Sequence, residues 1–177
     1  MTETTIRRAA KADARALAAL SAETFTEAFV HMYAPDDLKR FLRNAYSLRK
    51  TRRLLTDPAT GAWLMEAAGA PVGYAVAGPC SLPNPAVTPT CGELKRLYIL
   101  PAWQGGGRGA RLLEAALAWL ERDGPRSLWL GVYSGNVGAQ RLYERYGFGK
   151  VGEHTFSVGA SVDHEFTMRR GQGATRE

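Results

Sequence analysis

The sequence predicts an α/β (α+β) fold of about seven strands and about four helices, and three observations carry that expectation. Residues 93–132 read as a strand, a glycine-rich turn, an amphipathic helix and a second strand in direct succession. Alternating runs rich in Val, Ile, Trp and Tyr lie on both sides of that unit, each bounded by Gly or Pro. The chain has 177 residues, 45% of them hydrophobic, enough to bury a core without disulfide or metal staples.

In chain order, Ile6–Ala9 reads as a first strand. Ala14, Leu17, Ala18 and Leu20 then recur at helical spacing, and the pattern runs to about Phe29. Pro35-Asp36-Asp37 is a helix opening: proline suits the first turn, and the acids sit at the positive end of the helix dipole. A shorter helical stretch, Leu48 to Thr56, ends at Asp57-Pro58. Ala62–Ala67 and Val72–Ala77 flank Ala68-Gly69-Ala70-Pro71 and predict a hairpin. The proline-rich run Pro79–Pro89 is a loop, long enough to suggest a binding role.

Glu93–Leu100 alternates as a strand, with Leu94, Arg96 and Tyr98 on one face and Glu93, Lys95, Leu97 and Ile99 on the other. Leu112, Leu113, Ala116, Leu117 and Leu120 then mark the buried face of a helix that Asp123-Gly124-Pro125 stops. Ser127–Val132 is the next strand. Asn136 opens a helix through Tyr146, with Gly147 placed as its C-terminal cap. Two last strands, Lys150–Val158 and Val162–Met168, meet at Gly159-Ala160. With no linker and no internal repeat, residues 1–170 are expected to form one domain, and 171–177 a disordered tail.

Composition excludes several classes. The N-terminus has no apolar segment of a secretory signal. The longest uncharged stretch, Ala67 to Gly92, carries five prolines and cannot be one spanning helix, so no membrane partner is expected. Two cysteines are too few for a disulfide framework and suit a cytoplasmic protein. The net charge of +6 concentrates in the first 60 residues, with 11 basic against 7 acidic groups there. That excess suits a phosphate-bearing ligand; no nucleic-acid reading motif accompanies it. His31, His154 and His164 lack the spacing of a metal site.

The chemistry concentrates in Gln104-Gly105-Gly106-Gly107-Arg108-Gly109, between a strand and a helix. Glycines there leave backbone N–H groups bare at a helix N-terminus, a site for a diphosphate. The phosphate loop G-x-x-x-x-G-K-[ST] is absent. Gly105, Gly107 and Ala110 match a dinucleotide fingerprint, but the following strand ends without the acidic residue that would hold a ribose.

The same run resembles the acetyl-CoA-binding motif of the GNAT N-acetyltransferases, [Q/R]-x-x-G-x-[G/A], met by Gln104, Gly107 and Gly109. A second block, Asn136 through Ala139, Tyr143, Gly147 and Phe148, resembles that family's N-x-x-A-x-x-x-Y-x-x-x-G-F helix. The resemblance implies a mixed, mostly antiparallel twisted sheet whose fourth and fifth strands splay to hold coenzyme A. It implies that residues 104–109 and Ala110 take the diphosphate, Arg108 among them, that Ile99 and Leu100 line the pantetheine arm, and that Asn136 bonds it. The activity implied is acetyl transfer from acetyl-CoA to a primary amine.

Such a transfer must deprotonate an ammonium, which costs roughly 4.6 kcal/mol at pH 7 for a lysine-like amine, and protonate a departing thiolate. Glu93 is the expected base, Tyr143 the expected acid, and the Leu100 amide the expected oxyanion donor. Tyr133 and Tyr146 are lesser candidates. Two features resemble a polyamine-acetylating branch: the opening Glu93–Tyr98 and the hairpin 152–159. Glu27, Asp36, Asp37, Asp163 and Glu165 are the acids that would attract a polycation such as spermidine. A peptide amine as acceptor and a non-catalytic acyl-CoA sensor stand as alternatives, and a homodimer is possible through the final strands.

Overall fold

The computed structural model describes residues 3–172, and the expected tail lies largely outside them. Among the described residues seven strands form a single sheet: β1 (Thr4–Arg8), β2 (Gly61–Ala67), β3 (Ala70–Pro79), β4 (Gly92–Ile99), β5 (Leu128–Tyr133), β6 (Gly149–Val158) and β7 (Ser161–Arg170). Their order is β1-β2-β3-β4-β5-β7-β6. Every neighbouring pair is antiparallel except β4–β5. That parallel pair is joined through the helix that follows the glycine loop, since parallel strands need a crossover.

The helices are α1 (Ala14–Phe29), α2 (Pro35–Ala45), α3 (Leu48–Thr56), α4 (Arg108–Leu120) and α5 (Val137–Glu144). Strand alternation sorts their packing onto two faces. Ala62, Leu64, Tyr74 and Val76 pack with Leu17 and Leu20 of α1, and Leu54 and Leu55 of α3 join them. Trp63, Met65, Ala75 and Ala77 face the other way, onto Leu112, Leu113, Ala116 and Leu120 of α4. A third, aromatic cluster joins Phe25, Tyr33, Leu38 and Tyr46 to Val158 and Phe156 of β6. Pro35 stands in the first turn of α2 and Ser47 caps α3, accepting from the Lys50 amide.

Two turns follow their chemistry. The β2–β3 hairpin turns on Ala68 (φ 49°) and Gly69 (φ 79°), both left-handed as a two-residue hairpin requires. Gly159 (φ 56°) does the same between β6 and β7, and a side chain there would also run into Asp37 of α2.

The expected alternation of β4 is interrupted. Val76 pairs with Arg96 and Ala77 with Leu94, so Lys95 is an extra, bulged residue. Beyond it the parity of the strand changes. Leu94, Leu97 and Ile99 all pack on the α4 side, whereas Glu93, Lys95, Arg96 and Tyr98 line a cavity on the other. Glu93 therefore does not share a face with Ile99.

At the sheet edge, Arg7 bonds Asp13 twice, each at 2.8 Å, and Glu66 at 2.8 Å. Those bonds, with the Ala10 amide, hold the Asp13 carboxyl down at about 2. Because the folded value lies below the unfolded one, the pairing stabilises the fold above about pH 4 and is lost as pH falls toward 2. Asp13→Asn is expected to cost about 1 kcal/mol at pH 7, the upper range for an exposed pair. Urea melts should show that deficit shrinking steadily as pH is lowered through 4 to 2. A deficit independent of pH would remove the ion pair as its cause.

Candidate active site

Three consecutive glycines, Gly105, Gly106 and Gly107, take φ values of 81°, 59° and 75°. L-residues pay roughly 1–2 kcal/mol each for that conformation. The space beside Gly105 and Gly107 is empty, so glycine is required there by backbone conformation rather than by crowding. The turn delivers Gly107 as the N-cap of α4. Arg108 N–H returns to the Gly105 carbonyl and Arg111 N–H to that of Gly107. Among the described residues the amides of 105, 106, 107, 109 and 110 find no backbone acceptor, and they stand at the N-terminus of α4 with the helix dipole behind them. The Arg108 guanidinium lies 5.7 Å from the centre of the Trp103 ring.

Gln104 ties this loop to the strand before it: its side-chain Nε2 donates to the Ile99 carbonyl at 3.0 Å. The strand end is otherwise open. β4 and β5 pair only over Gly92↔Leu128, Glu93↔Trp129 and Leu94↔Leu130, then diverge. Beyond that point β4 holds to β3 as far as Ile99↔Gly73, and β5 holds to β7 as far as Tyr133↔Glu165.

The direction of the backbone groups in the gap follows from one bond. The Leu100 amide, expected as oxyanion donor, donates to Val72 O at 2.9 Å. Antiparallel pairing alternates, so Tyr98 also turns its N–H toward β3, while Leu97 and Ile99 turn theirs into the gap. Those two amides are the donors available to a ligand lying between the strands.

Two cavities, of about 280 and 360 Å³, meet at this gap. The first runs from Gln104 and Ile99 past Asn136 and Tyr143, roofed by Glu27 and Phe29 of α1. The second opens among Phe25, Phe41, Tyr46 and Phe156. Arg96, Tyr98, Gly131, Tyr133 and Glu165 line both.

Tyr143 is buried, packs edge-on against Phe148 and reaches the first cavity. Burial alone drives its phenol well above the usual range, so it stays protonated. Asn136 caps α5, its side-chain oxygen accepting from Ala139 N–H at 3.1 Å, which leaves the amide NH₂ for the cavity. Tyr133 lies edge-on to Phe29 at the junction, and Tyr146 donates to Glu114 at 2.6 Å.

Glu93 is buried on the wall of the second cavity. Its Oε2 accepts from the Ser81 amide at 2.8 Å and from Lys95 Nζ at 3.0 Å. The remaining acids divide. Asp36 is exposed on α2, and Asp37 bonds Arg40 and the Ala160 amide. Asp163 accepts from the Tyr33 hydroxyl. Glu165 sits at the junction, its Oε2 2.8 Å from His154 Nε2, while His154 Nδ1 lies 2.8 Å from Thr167 Oγ1. Burial, opposed by His154, raises the Glu165 carboxyl above the usual range. Gly131 permits this packing: a side-chain carbon there would stand 2.8 Å from Glu165 and 3.0 Å from His154. Sequence reasoning left this dyad unassigned, although a two-residue turn at Gly159-Ala160 already sets His154 opposite Glu165.

An open strand pair beside a turn of bare amides leaves room for an extended ligand across the sheet with an anionic group at the helix N-terminus. The model of the acetyltransferase (GNAT) family matches residues 17–148. An uncharacterized N-acetyltransferase of Mycobacterium tuberculosis is 34% identical over 158 residues, 89% of this chain and 97% of its own. The spermine/spermidine N(1)-acetyltransferase of Bacillus subtilis is 35% identical over 65 residues, 36% of this chain and 43% of its own. The PaiA N-acetyltransferase of Thermoplasma acidophilum, solved with coenzyme A, superposes with a TM-score of 0.75 at 18% identity, covering 96% of this chain and 99% of its own. The chain belongs to the GNAT family. It is an acetyl-CoA-dependent N-acetyltransferase.

Among the described residues no helix is long and apolar enough to cross a membrane. Because Gly107 is left-handed with open space around it, Gly107→Ala strains only the glycine turn. It is expected to raise KM for acetyl-CoA about tenfold while kcat at saturation changes less than twofold. An unaltered KM, with coenzyme A binding unchanged by calorimetry, would take the diphosphate off this turn.

Proposed function

We propose that this enzyme acetylates a primary amine that enters through the aromatic cavity and meets the acetyl group where the two cavities join. The observation that carries this reading is the junction itself, where Glu165 and Tyr133 line both spaces beside the diverging strands. Acetyl-CoA supplies the acyl group as a thioester and departs as a thiol. The first cavity and the turn next to it suit it: the bare amides of residues 105, 106, 107, 109 and 110, which follow the lining residue Gln104, for the diphosphate, and the Leu97 and Ile99 amides for the arm and the acyl oxygen. Gln104 keeps loop and strand in register with one another.

The chain's own part is proton transfer. Glu165 takes a proton from the acceptor ammonium, with His154 holding its carboxylate and Thr167 holding the imidazole. A carboxyl raised by burial is a better base for an amine than an ordinary one. Glu93, the base expected from the strand pattern, is bonded to Ser81 and Lys95 and lines the second cavity alone, so we assign it to shaping that wall. Tyr143, held protonated by burial, gives its proton to the departing sulfur. The nitrogen bonds to the acyl carbon as the carbon–sulfur bond breaks and sheds its second proton, which restores the Tyr143 phenol, while Glu165 releases its proton to solvent; no acyl-enzyme forms.

The finer reading of a polyamine acceptor is supported by the partial match to the Bacillus subtilis enzyme. The cavity wall favours a smaller charge on the acceptor: Lys95 offsets Glu93, His154 and the Tyr33 hydroxyl hold Glu165 and Asp163, and Arg96 adds a positive charge without a carboxylate partner.

Tyr143→Phe is expected to lower kcat about 10²-fold with KM for acetyl-CoA changed less than threefold; an unaltered kcat would take Tyr143 out of the chemistry. The acidic limb of the kcat/KM profile should lie above the ordinary carboxylate range, because the base must be ionised to act. Glu165→Gln is expected to abolish that limb and Glu93→Gln to preserve it. The opposite pattern would return the base to Glu93.

A further inference from the structure

Among the described residues, Arg96 is the cation in the wall of the second cavity that has no carboxylate partner. Arg96, which the β4 bulge turns away from α4, is partly buried and lines both cavities. Its guanidinium lies 4.9 Å from the centre of the Tyr46 ring, and Tyr46 is itself buried. Among the described residues no carboxylate stands within ion-pair distance of it. Of the acids lining the two cavities, Glu93 is paired with Lys95, Glu165 with His154, and Asp163 accepts from the Tyr33 hydroxyl, while Glu27 stands exposed on α1 and makes no ion pair with Arg96. A guanidinium does not lose its proton, and removing it from water without an anion is costly. The cofactor diphosphate does not supply that anion, because Arg96 lies about 10 Å up the strand from Ile99, away from the glycine turn.

We infer that Arg96 receives the carboxylate of the acceptor, and that the acceptor is an α-amino acid with an apolar or aromatic side chain. The inference rests on the amine-acceptor reading and specifies its substrate class. In an α-amino acid the amine and carboxylate share one carbon, so both must be met in one small region. The junction offers that: Arg96 and Glu165 both line it. A planar guanidinium can take a carboxylate through two parallel hydrogen bonds, which orients the amine as well as holding it. The side chain then points into the aromatic part of the cavity, among Phe25, Phe41 and Phe156. A polyamine has no group for Arg96 and is repelled by it.

The test is a kinetic comparison of acceptors matched except for the carboxylate: L-phenylalanine against phenethylamine, and L-leucine against 3-methylbutylamine, with spermidine alongside. Each amino acid is expected to exceed its decarboxylated partner in kcat/KM by about 100-fold. Arg96→Gln should raise KM for the amino acids about 100-fold and bring each ratio near one. Arg96→Lys should recover part of the preference. Coenzyme A binding by calorimetry confirms that each variant is folded. Ratios near one in the wild type, or spermidine as the preferred acceptor with Arg96→Gln improving it, would overturn the inference and leave amine acetylation standing. Coenzyme A binding with no amine acetylated at all would overturn the amine reading and this inference with it.

Discussion

The fold depends on an interruption: a parallel ladder that stops after three residue pairs. β4 and β5 are held apart because each has a stronger commitment on its other side, β4 to β3 and β5 to β7. Their facing backbone groups are left without a strand partner inside an otherwise continuous sheet. Buried backbone groups of that kind need a partner, and an extended ligand carrying its own amides supplies one. The sheet thus leaves a slot between β4 and β5 by withholding one strand's worth of hydrogen bonds.

Everything around the gap keeps it open or furnishes it. The α4 side is packed with leucines from Leu112 to Leu120, so the helix that presents the glycine turn cannot shift toward the gap. The glycine turn itself is held by Gln104 at one end and by the first turn of α4 at the other. On the far side the aromatic cluster of α1, α2 and β6 shapes the second cavity. Asp37 fastens the β6–β7 hairpin to α2 through the Ala160 amide, which fixes that cavity's outer wall.

Much of this was legible from the sequence because the signals were local. The glycine run, the leucine face of α4, the Asn136 cap and the left-handed glycines at 107, 147 and 159 each follow from short-range chemistry. The β4 bulge departs from the strict alternation that the strand's sequence predicts. Its trace was present: apolar residues at 94, 97 and 99 do not fit a period of two, and the adjacent charges Lys95-Arg96 mark where the count slips. That slip moved Glu93 away from Ile99's face and turned Arg96 into the second cavity. The Leu100 amide was misjudged for a related reason, since its direction depends on pairing with Val72, a long-range contact. The His154–Glu165 pair needed only the hairpin register, but its burial depends on Gly131 of a strand that is not adjacent in sequence.

Residue-resolved hydrogen exchange with and without acetyl-CoA tests the open-ladder claim most directly. Binding should slow exchange at the Leu97 and Ile99 amides and at residues 105–110, and leave Leu100 and Tyr98, already bonded to β3, nearly unchanged. Protection that spares Leu97 and Ile99, or that appears on the β4 amides facing β3, would contradict the account of how this sheet holds its cofactor.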